Sequence, residues 1–300
     1  MERILEYTVS LEEAGVTIKD FLRQKGYSRQ NIVELKKQER SILVNGVWEY
    51  VTYRLQLGDL LQICMKEKAS EKIAPVNLPF PILYEDEDLM VIDKPADMPI
   101  HPSLNNYDNT LANAAAFYFN QKGIPFRFRC INRLDRDTTG LTVLAKNMVS
   151  CSILQEQMLK REIKREYLAI ADGYIEEDSG IITAPIGRRD GSTIERMIDY
   201  ENGERAITHF KVLERMADAT LLSLILETGR THQIRVHVAS IGHPLLGDFL
   251  YNPKDQRMNR QALHAWHLSL KHPITGERME WEADIPSDMK AVLASRGCHR

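Results

Sequence analysis

The feature that most constrains the fold is an interruption early in the chain. A run of mixed charges at residues 66–72 is followed by three spaced prolines between positions 75 and 81. Proline has no N–H to donate and resists helix formation, so this composition is typical of a connecting segment. For a chain of 300 residues we therefore predict a small N-terminal module at 1–66, a linker at 67–81 and a larger domain at 82–300.

Composition excludes several classes of protein. Hydrophobic residues make up 43% of the chain, which is enough for a sizeable core, and the formal net charge of −3 argues against coating nucleic acid by bulk charge. A local basic groove remains compatible with that balance. No apolar run approaches about 18 residues, and the acidic N-terminus is unlike a secretory signal, so neither a membrane span nor secretion is expected.

The four cysteines are widely spaced and form no CxxC pair. They are Cys64, Cys130, Cys151 and Cys298. This spacing favours neither a thiolate zinc site nor a disulfide framework, and we expect reduced thiols in a cytoplasmic protein.

The N-terminal module combines helical and strand patterns. Apolar residues at 16–22 follow helical spacing, Ser28 is placed to cap a second helix, and Asn45-Gly46 is a turn signal between two short strands. Between residues 16 and 46 there are seven basic and three acidic residues. In this basic segment, Arg29, Lys36 and Lys37 are candidate contacts to the phosphates of a nucleic acid. On charge alone, an ordinary solvated face is the simpler interpretation.

The second domain interleaves strands and helices without a regular βαβ alternation. Strands are predicted at 88–93, 140–145, 167–170, 205–213, 219–226 and 262–270, and helices at 109–122, 148–161 and 231–240. This order favours the α+β class, with a mixed, mainly antiparallel central sheet and flanking helices. There is no glycine-rich loop of the kind that binds dinucleotides or nucleoside triphosphates.

A polar cluster immediately before the strand at 140–145 is the first candidate for chemistry. Arg133, Asp135, Arg136 and Asp137 lie within five residues, and loops that end on rigid strands are favoured places for reactive groups. An Asp between arginines stays ionised and could act as a base or nucleophile. From these residues alone, a carboxylate that caps a turn is the simpler alternative.

A second polar cluster occupies residues 227–237 beside the turn at Gly229. It contains two Arg and two His at the predicted start of a helix, where anions bind favourably. A spacing of five puts His232 and His237 on different helix faces, so a shared metal ion is not expected. Arg230 and Arg235 diverge in the same way, so one could meet phosphate while the other enters an active site. A charged surface helix is the alternative.

Together these motifs resemble the Rlu family of pseudouridine synthases. The chain has Asn132-Arg133-Leu134-Asp135 with Thr138-Thr139-Gly140-Leu141, then Lys164-Arg165-Glu166-Tyr167-Leu168-Ala169, then Thr228-Gly229-Arg230-Thr231-His232-Gln233-Ile234-Arg235-Val236-His237. The resemblance covers about residues 82–287; Asn132 and Thr139 replace the family's usual His and Ser. Residues 15–65 are similar to the S4-like RNA-binding domain, with Leu43-Val44-Asn45-Gly46 and Leu57-Gly58-Asp59 at suitable spacing.

The resemblance implies isomerisation of uridine within RNA, with no cofactor and no metal. Asp135 matches the family's catalytic Asp. Tyr167 matches a Tyr that stacks on uracil and assists proton removal. Arg235 matches a basic residue that pairs with the catalytic Asp. Arg133 matches an Arg that fills the gap left by the extruded base, and Ile234 an apolar wall of the base pocket. Arg230 and His232 are implied as weaker RNA contacts.

The expected partner is structured RNA. Ribosomal RNA is favoured by analogy, transfer RNA is the alternative, and we expect a monomer with no membrane association. Two other functions are considered. One is a non-catalytic RNA-binding or ribosome-assembly factor, and the other is a hydrolase of glycosidic bonds that uses Asp135 and Asp137 as a pair. Two residues apart on one turn, those carboxylates are badly placed to flank a substrate.

Overall fold

The computed structural model describes residues 2–70, 72–104 and 106–295. Its helices are α1 (Ile18–Gln24), α2 (Arg29–Lys36), α3 (Leu111–Gln121), α4 (Met148–Leu159), α5 (Gln233–Ser240) and α6 (Ser287–Ser295). Its first strands are β1 (Glu2–Thr8), β2 (Ile42–Val44), β3 (Val47–Trp48), β4 (Leu60–Lys66), β5 (Ile82–Glu85), β6 (Leu89–Lys94) and β7 (Thr139–Ala145). The later strands are β8 (Lys164–Asp172), β9 (Ser179–Thr183), β10 (Ile186–Arg188), β11 (Arg196–Ile198), β12 (Ile207–Arg215), β13 (Ala219–Leu226), β14 (Leu263–Lys271) and β15 (Arg278–Glu282).

The N-terminal module is a four-stranded antiparallel sheet in the order β1-β4-β2-β3, covered by α1 and α2. The turn predicted at Asn45-Gly46 is confirmed, because both residues have positive φ and join β2 to β3. β1 was not predicted. It pairs along its whole length with β4, which lies more than fifty residues later, so its stability comes from a distant partner.

Helix α2 begins where the sequence predicts. The Ser28 side chain accepts a hydrogen bond from the Asn31 N–H, and the Asn31 side chain accepts one from the Ser28 N–H, which forms a reciprocal cap. Asn31 also donates to the carbonyl of Met148 at 3.1 Å and accepts from Ser152 at 2.6 Å. The same residue therefore caps α2 and holds the module against α4.

The second domain contains a nine-stranded sheet, and the predicted α+β class is confirmed. The strand order is β5-β6-β7-β14-β8-β13-β12-β9, with β15 added to β14. Among the described strands, β7 and β14 form the one parallel pair, and the other pairings are antiparallel. β7 is buried at every position, as expected for a central strand made of a continuous apolar run.

Gly140 makes the parallel pair possible. Its φ is +106°, and a Cβ at this position would lie 2.2 Å from the carbonyl oxygen of Ala265 on β14. Any larger residue would push β7 and β14 apart. Because only Thr138 and Thr139 separate Gly140 from the polar cluster at 133–137, this close approach fixes where that cluster leaves the sheet.

Residues 67–81 contain neither helix nor strand in the part that is described, as expected for a connecting segment. They are nevertheless attached to the second domain. Glu67 pairs with Arg129 at 2.8 Å, and the Val76 N–H donates to the carbonyl of Asn113. Val149 of α4 belongs to the same buried cluster as Ile32 and Leu35 of α2, so the two parts share apolar contacts. The division into domains stays a prediction.

Several elements were not predicted, and others begin or end elsewhere. The missed elements in the second domain are β5, β9, β10, β11, β15 and α6. Of these, β10 and β11 have three residues each, too few for a periodic pattern. α1 begins at Ile18 after its cap at Thr17, and α5 begins at Gln233, two residues later than predicted.

No helix in the described part of the chain is long and apolar enough to span a membrane. Cys64, Cys130 and Cys151 are free thiols, and Cys298 lies outside the described residues.

Candidate active site

The loop between Asn132 and Thr139 is held to the sheet at both ends. Asn132 is buried; its amide donates to the Leu141 carbonyl and accepts from the Val143 N–H, both at 3.0 Å. The Thr139 hydroxyl lies 2.9 Å from His264 Nδ1 on β14. The residues that replace the family's usual His and Ser therefore anchor the loop to β7 and β14.

The middle of this loop is held by two buried basic side chains. Lys94, at the end of β6, donates to the carbonyls of Pro95, Met98 and Arg136 at 2.7, 2.9 and 2.8 Å. Arg260 donates to the Asp137 carbonyl at 3.2 Å. Burial lowers the pKa of Lys94 to about 7, while Asp137 and Asp135 oppose that shift. These contacts fix the backbone on both sides of Asp135, and neither role was predicted from the sequence.

Asp135 is paired with a buried arginine from a distant helix. Arg235 on α5 is 2% exposed, and its Nη1 donates to Asp135 Oδ2 at 3.0 Å. Its Nε and Nη2 donate to the two carboxylate oxygens of Asp248 at 2.7 and 2.8 Å. Burial opposes the charge on Arg235, but Asp248 and Asp135 together outweigh it and raise the pKa of its guanidinium. The arginine is thereby held charged and oriented.

The local arginines do not pair with Asp135, which corrects the expectation drawn from neighbouring residues. Arg136 turns to Asp137, with Nη2 2.8 Å from its Oδ2. Arg133 is exposed and has no hydrogen bond or ion pair within the described residues. Sequence neighbours on a loop point in different directions, so charge balance at Asp135 is set by tertiary contacts.

A second side chain approaches the same carboxylate. His232 immediately precedes α5, has φ 58°, and makes no capping hydrogen bond through its side chain. Its Nε2 lies 3.9 Å from Asp135 Oδ2, and its Nδ1 lies 3.1 Å from the Tyr251 hydroxyl. Burial lowers the pKa of His232, and Arg235 adds to that effect while Asp135 opposes it. The lowered pKa favours the neutral imidazole, and the role of His232 as an RNA contact stays a prediction.

Asp135 opens into a cavity of about 530 Å³. Tyr167 of β8 and Arg133 line the same cavity, and a smaller adjoining space is lined by Ile234 and Arg235. Tyr167 and Ile234 are each 4% exposed and belong to one apolar cluster under the site. The structure thus brings Asp135, Tyr167, Arg235, Ile234 and Arg133 together.

Arg230 also lines this cavity, at its rim, but its guanidinium is held by residues other than Asp135. It donates to the Arg205 carbonyl at 3.2 Å and pairs with the Glu204 carboxylate. The divergence of Arg230 from Arg235 was expected for two helical residues, but Arg230 lies before α5, which begins at Gln233. Of the pair, Arg235 faces the carboxylate.

The three candidate RNA contacts of the N-terminal module lie on the exposed side of α2 and at its end. Arg29, Lys36 and Lys37 are exposed, and Lys37 pairs with Glu34 at 2.9 Å. They are separate from the cavity at Asp135, so they could act only on a ligand that extends across the molecule.

Among the described residues, Asp86, Asp88 and His272 have a spacing that could hold a metal ion. Their ligand atoms are already engaged. Asp86 accepts from Tyr84, His272 and two backbone N–H groups, and Asp88 accepts from Arg3, Asn147 and Ser150. The group is a hydrogen-bonded junction between β1, β6 and α4.

Comparison with known proteins identifies the family. Residues 88–240 match the family model described as RNA pseudouridylate synthase. The chain is 45% identical over 304 residues to "Ribosomal large subunit pseudouridine synthase D" of Nitrosomonas europaea, covering 97% of this chain and 88% of that protein. It is 38% identical over 279 residues to "Uncharacterized RNA pseudouridine synthase YjbO" of Bacillus subtilis, covering 93% of this chain and 98% of that protein.

A solved structure shares the fold. Human RNA Pseudouridylate Synthase Domain Containing 1 superposes with a TM-score of 0.58 at 29% identity, covering 69% of this chain and 83% of that one. Fold and matches together define an isomerase that acts on RNA. The chain belongs to the RNA pseudouridylate synthase family, and the resemblance to its Rlu branch is confirmed.

Proposed function

We propose that this protein isomerises specific uridines in structured RNA, that its substrate is large-subunit ribosomal RNA, and that Asp135 is the reacting carboxylate. The observation that carries the proposal is that only one of the two carboxylate oxygens of Asp135 is hydrogen-bonded within the described residues. Arg235 holds Oδ2, whereas Oδ1 accepts no hydrogen bond from the described residues and the carboxylate is 26% exposed at the cavity. One oxygen is thereby left for the substrate.

The reaction needs a positioned, ionised carboxylate rather than a cofactor. The bond between ribose C1′ and uracil N1 breaks, the base turns, and C1′ forms a bond to C5. The proton on C5 leaves and N1 takes up a proton, so atoms and electrons balance within the nucleotide. Arg235 keeps the Asp135 carboxylate oriented during cleavage, because its own orientation is fixed by Asp248.

The remaining cavity residues have roles that follow from their positions. The Tyr167 hydroxyl has no hydrogen-bond partner in the described part of the chain, which leaves it available to assist removal of the C5 proton. Ile234 provides an apolar surface beside the base. Arg133 is free to enter the RNA stack when the base leaves it, a step that costs a few kcal/mol.

Two features support a ribosomal substrate. Relatives at 38–45% identity are named as ribosomal large subunit synthases. Exposed basic residues on α2 lie outside the catalytic cavity, which favours an RNA large enough to reach both regions. We place Arg29, Lys36 and Lys37 in that outer contact, in a cytoplasmic, monomeric enzyme.

The first test compares two carboxylates on the same loop. Asp135→Asn should lower the rate of pseudouridine formation by about 10³-fold or more, because the amide carries no charge and is a poor nucleophile and base. RNA binding and the melting temperature should stay near those of the unaltered protein. The measurement is pseudouridine formed in unmodified transcripts of large-subunit ribosomal RNA and of transfer RNA.

Asp137→Asn is the matched control, since this neighbouring carboxylate is held by Arg136 and makes no contact with Asp135. It should keep most of the activity. Full activity of Asp135→Asn would contradict the proposal. Release of free uracil would indicate a hydrolase that uses both residues, and modification of the transfer RNA transcripts alone would overturn the ribosomal assignment.

A further inference from the structure

The cavity at Asp135 contains more positive charge than the protein neutralises. Asp135 is its one described acidic lining residue, and that carboxylate is paired with Arg235. Arg230 at the rim is paired with Glu204. Two lining guanidinium groups, those of Arg133 and Arg165, have no carboxylate partner among the described residues. Arg133 is exposed to solvent, whereas Arg165 is partly buried, so its lack of a partner is more costly.

Arg165 lies on β8, two positions before Tyr167. Side chains two apart on a strand share one face, so Arg165 and Tyr167 line the cavity together. The Arg165 Nε is shielded from solvent and has no hydrogen-bond acceptor. Its guanidinium lies beside Gly229, where a Cβ would be 3.9 Å from Nη1.

Nearby acidic residues do not serve Arg165. Glu166 is the next residue on the strand and therefore faces the opposite side of the sheet, 4.0 Å from His267. Glu227 is held by Arg161 at 2.7 Å and by His209 at 2.8 Å. The protein thus leaves a buried donor without an acceptor beside its reacting carboxylate, which is unfavourable unless a ligand supplies one.

A phosphodiester is the part of an RNA substrate that matches this group. Uracil and ribose are neutral, whereas the phosphate has anionic oxygens that accept from a planar guanidinium fork. We propose that Arg165 binds the phosphodiester of the target uridine and so positions its ribose over Asp135. This assignment rests on the proposed function, because it takes the substrate to be an RNA nucleotide in this cavity.

The test measures equilibrium binding and its dependence on salt. Arg165→Gln and Arg165→Lys are made in an Asp135→Asn background, with an unmodified large-subunit ribosomal RNA transcript as the probe. Arg278→Gln is the control, since Arg278 is an exposed arginine on β15 outside the cavity. Arg165→Gln should weaken binding by about tenfold or more and reduce the slope of log K against log salt by about 0.7–0.9.

Arg165→Lys should keep the slope, because it keeps the charge, and should recover only part of the affinity, because it lacks the fork. In the active background, Arg165→Gln should raise KM more than it lowers kcat. Arg278→Gln should leave the binding constant and slope unchanged.

Wild-type affinity and an unaltered slope in Arg165→Gln would overturn the assignment. If Arg165→Gln fails to fold, Arg165→Lys decides the question, since full wild-type affinity would then exclude a bidentate phosphate contact. Failure of the proposed function is seen separately. In that case the unaltered protein forms no pseudouridine in either transcript, whatever the slopes are.

Discussion

At the scale of single residues, the state of Asp135 depends on a partner 100 positions later in the chain. Its sequence neighbours Arg133 and Arg136 do not contact it, although their proximity in sequence favours such a pairing. Arg235 is in turn oriented by Asp248, which is fully buried. Asp248 follows Gly247, where a Cβ would lie 2.2 Å from the Arg260 carbonyl oxygen, so this turn requires glycine.

Tyr251 sets the tautomer of His232. Its hydroxyl accepts from the Arg196 N–H at 3.0 Å, so its own proton is available to His232 Nδ1. The remaining imidazole proton is then on Nε2, facing Asp135. Tyr251→Phe removes this constraint and should lower kcat about fivefold while KM changes little, because one hydrogen bond contributes about 1 kcal/mol. Steady-state kinetics on the ribosomal transcript measures both constants.

Tyr200→Phe provides the control for that experiment, since Tyr200 is 79% exposed. Both variants should melt at nearly the same temperature as the unaltered protein. An unchanged kcat in Tyr251→Phe would show that the orientation of His232 does not matter for turnover.

At the scale of elements, β1 is tied to the second domain through Arg3, which pairs with Glu87 and with Asp88, each at 2.8 Å. Arg3 Nε and Nη2 donate to the two carboxylate oxygens of Asp88 at 3.2 and 2.8 Å. Asp88 also accepts from Asn147, the residue that caps α4. Three elements therefore meet at the Asp88 carboxylate. Its hydrogen bond with Arg3 is the chief reason that the pKa of Arg3 is raised.

Asp88→Ala should destabilise the protein by about 2 kcal/mol, because several donors lose a buried acceptor at once. Urea unfolding, followed by circular dichroism, measures the free energy of unfolding. Asp178→Ala is a suitable comparison, since Asp178 also pairs with an arginine but its side chain is 89% exposed. Equal losses in the two variants would contradict a special role for the junction at Asp88.

At the scale of the whole molecule, the N-terminal module and the second domain share part of their core. Val149 of α4 is buried with residues of the module, and Ile153 packs against the same cluster. Hydrogen bonds from Asn31 and Ser152 reinforce this contact. The S4-like identity of the module stays a prediction, but its attachment is a structural fact.

The two parts should therefore unfold in a single transition. Trp48 lies in the module, and Trp266 and Trp281 lie in the second domain, so tryptophan fluorescence can follow each part separately. In urea, a Trp48→Phe variant and a Trp266→Phe, Trp281→Phe double variant should have superimposable transitions. Two separate midpoints would show that the shared cluster is too weak to couple the domains.

Much of the local structure follows from short-range patterns. The cap at Ser28, the turn at Asn45-Gly46 and the buried strand from Gly140 depend on residues within a few positions of one another, and the structure has all three. β1 was missed because it is stabilised by β4, a strand that is distant in sequence. β5, β10 and β11 were missed because each is too short to show a periodic pattern.

By itself, the sequence determined the fold class, the family motifs and the candidates Asp135, Tyr167 and Arg235. Only the tertiary structure decided that Lys94 and Arg260 hold the loop, that Asp248 orients Arg235, and that Arg165 lacks a partner. The physical reason is that periodicity and turn chemistry act between near neighbours. Electrostatic balance and hydrogen-bond satisfaction at a buried site are settled by side chains that meet only when the sheet has formed.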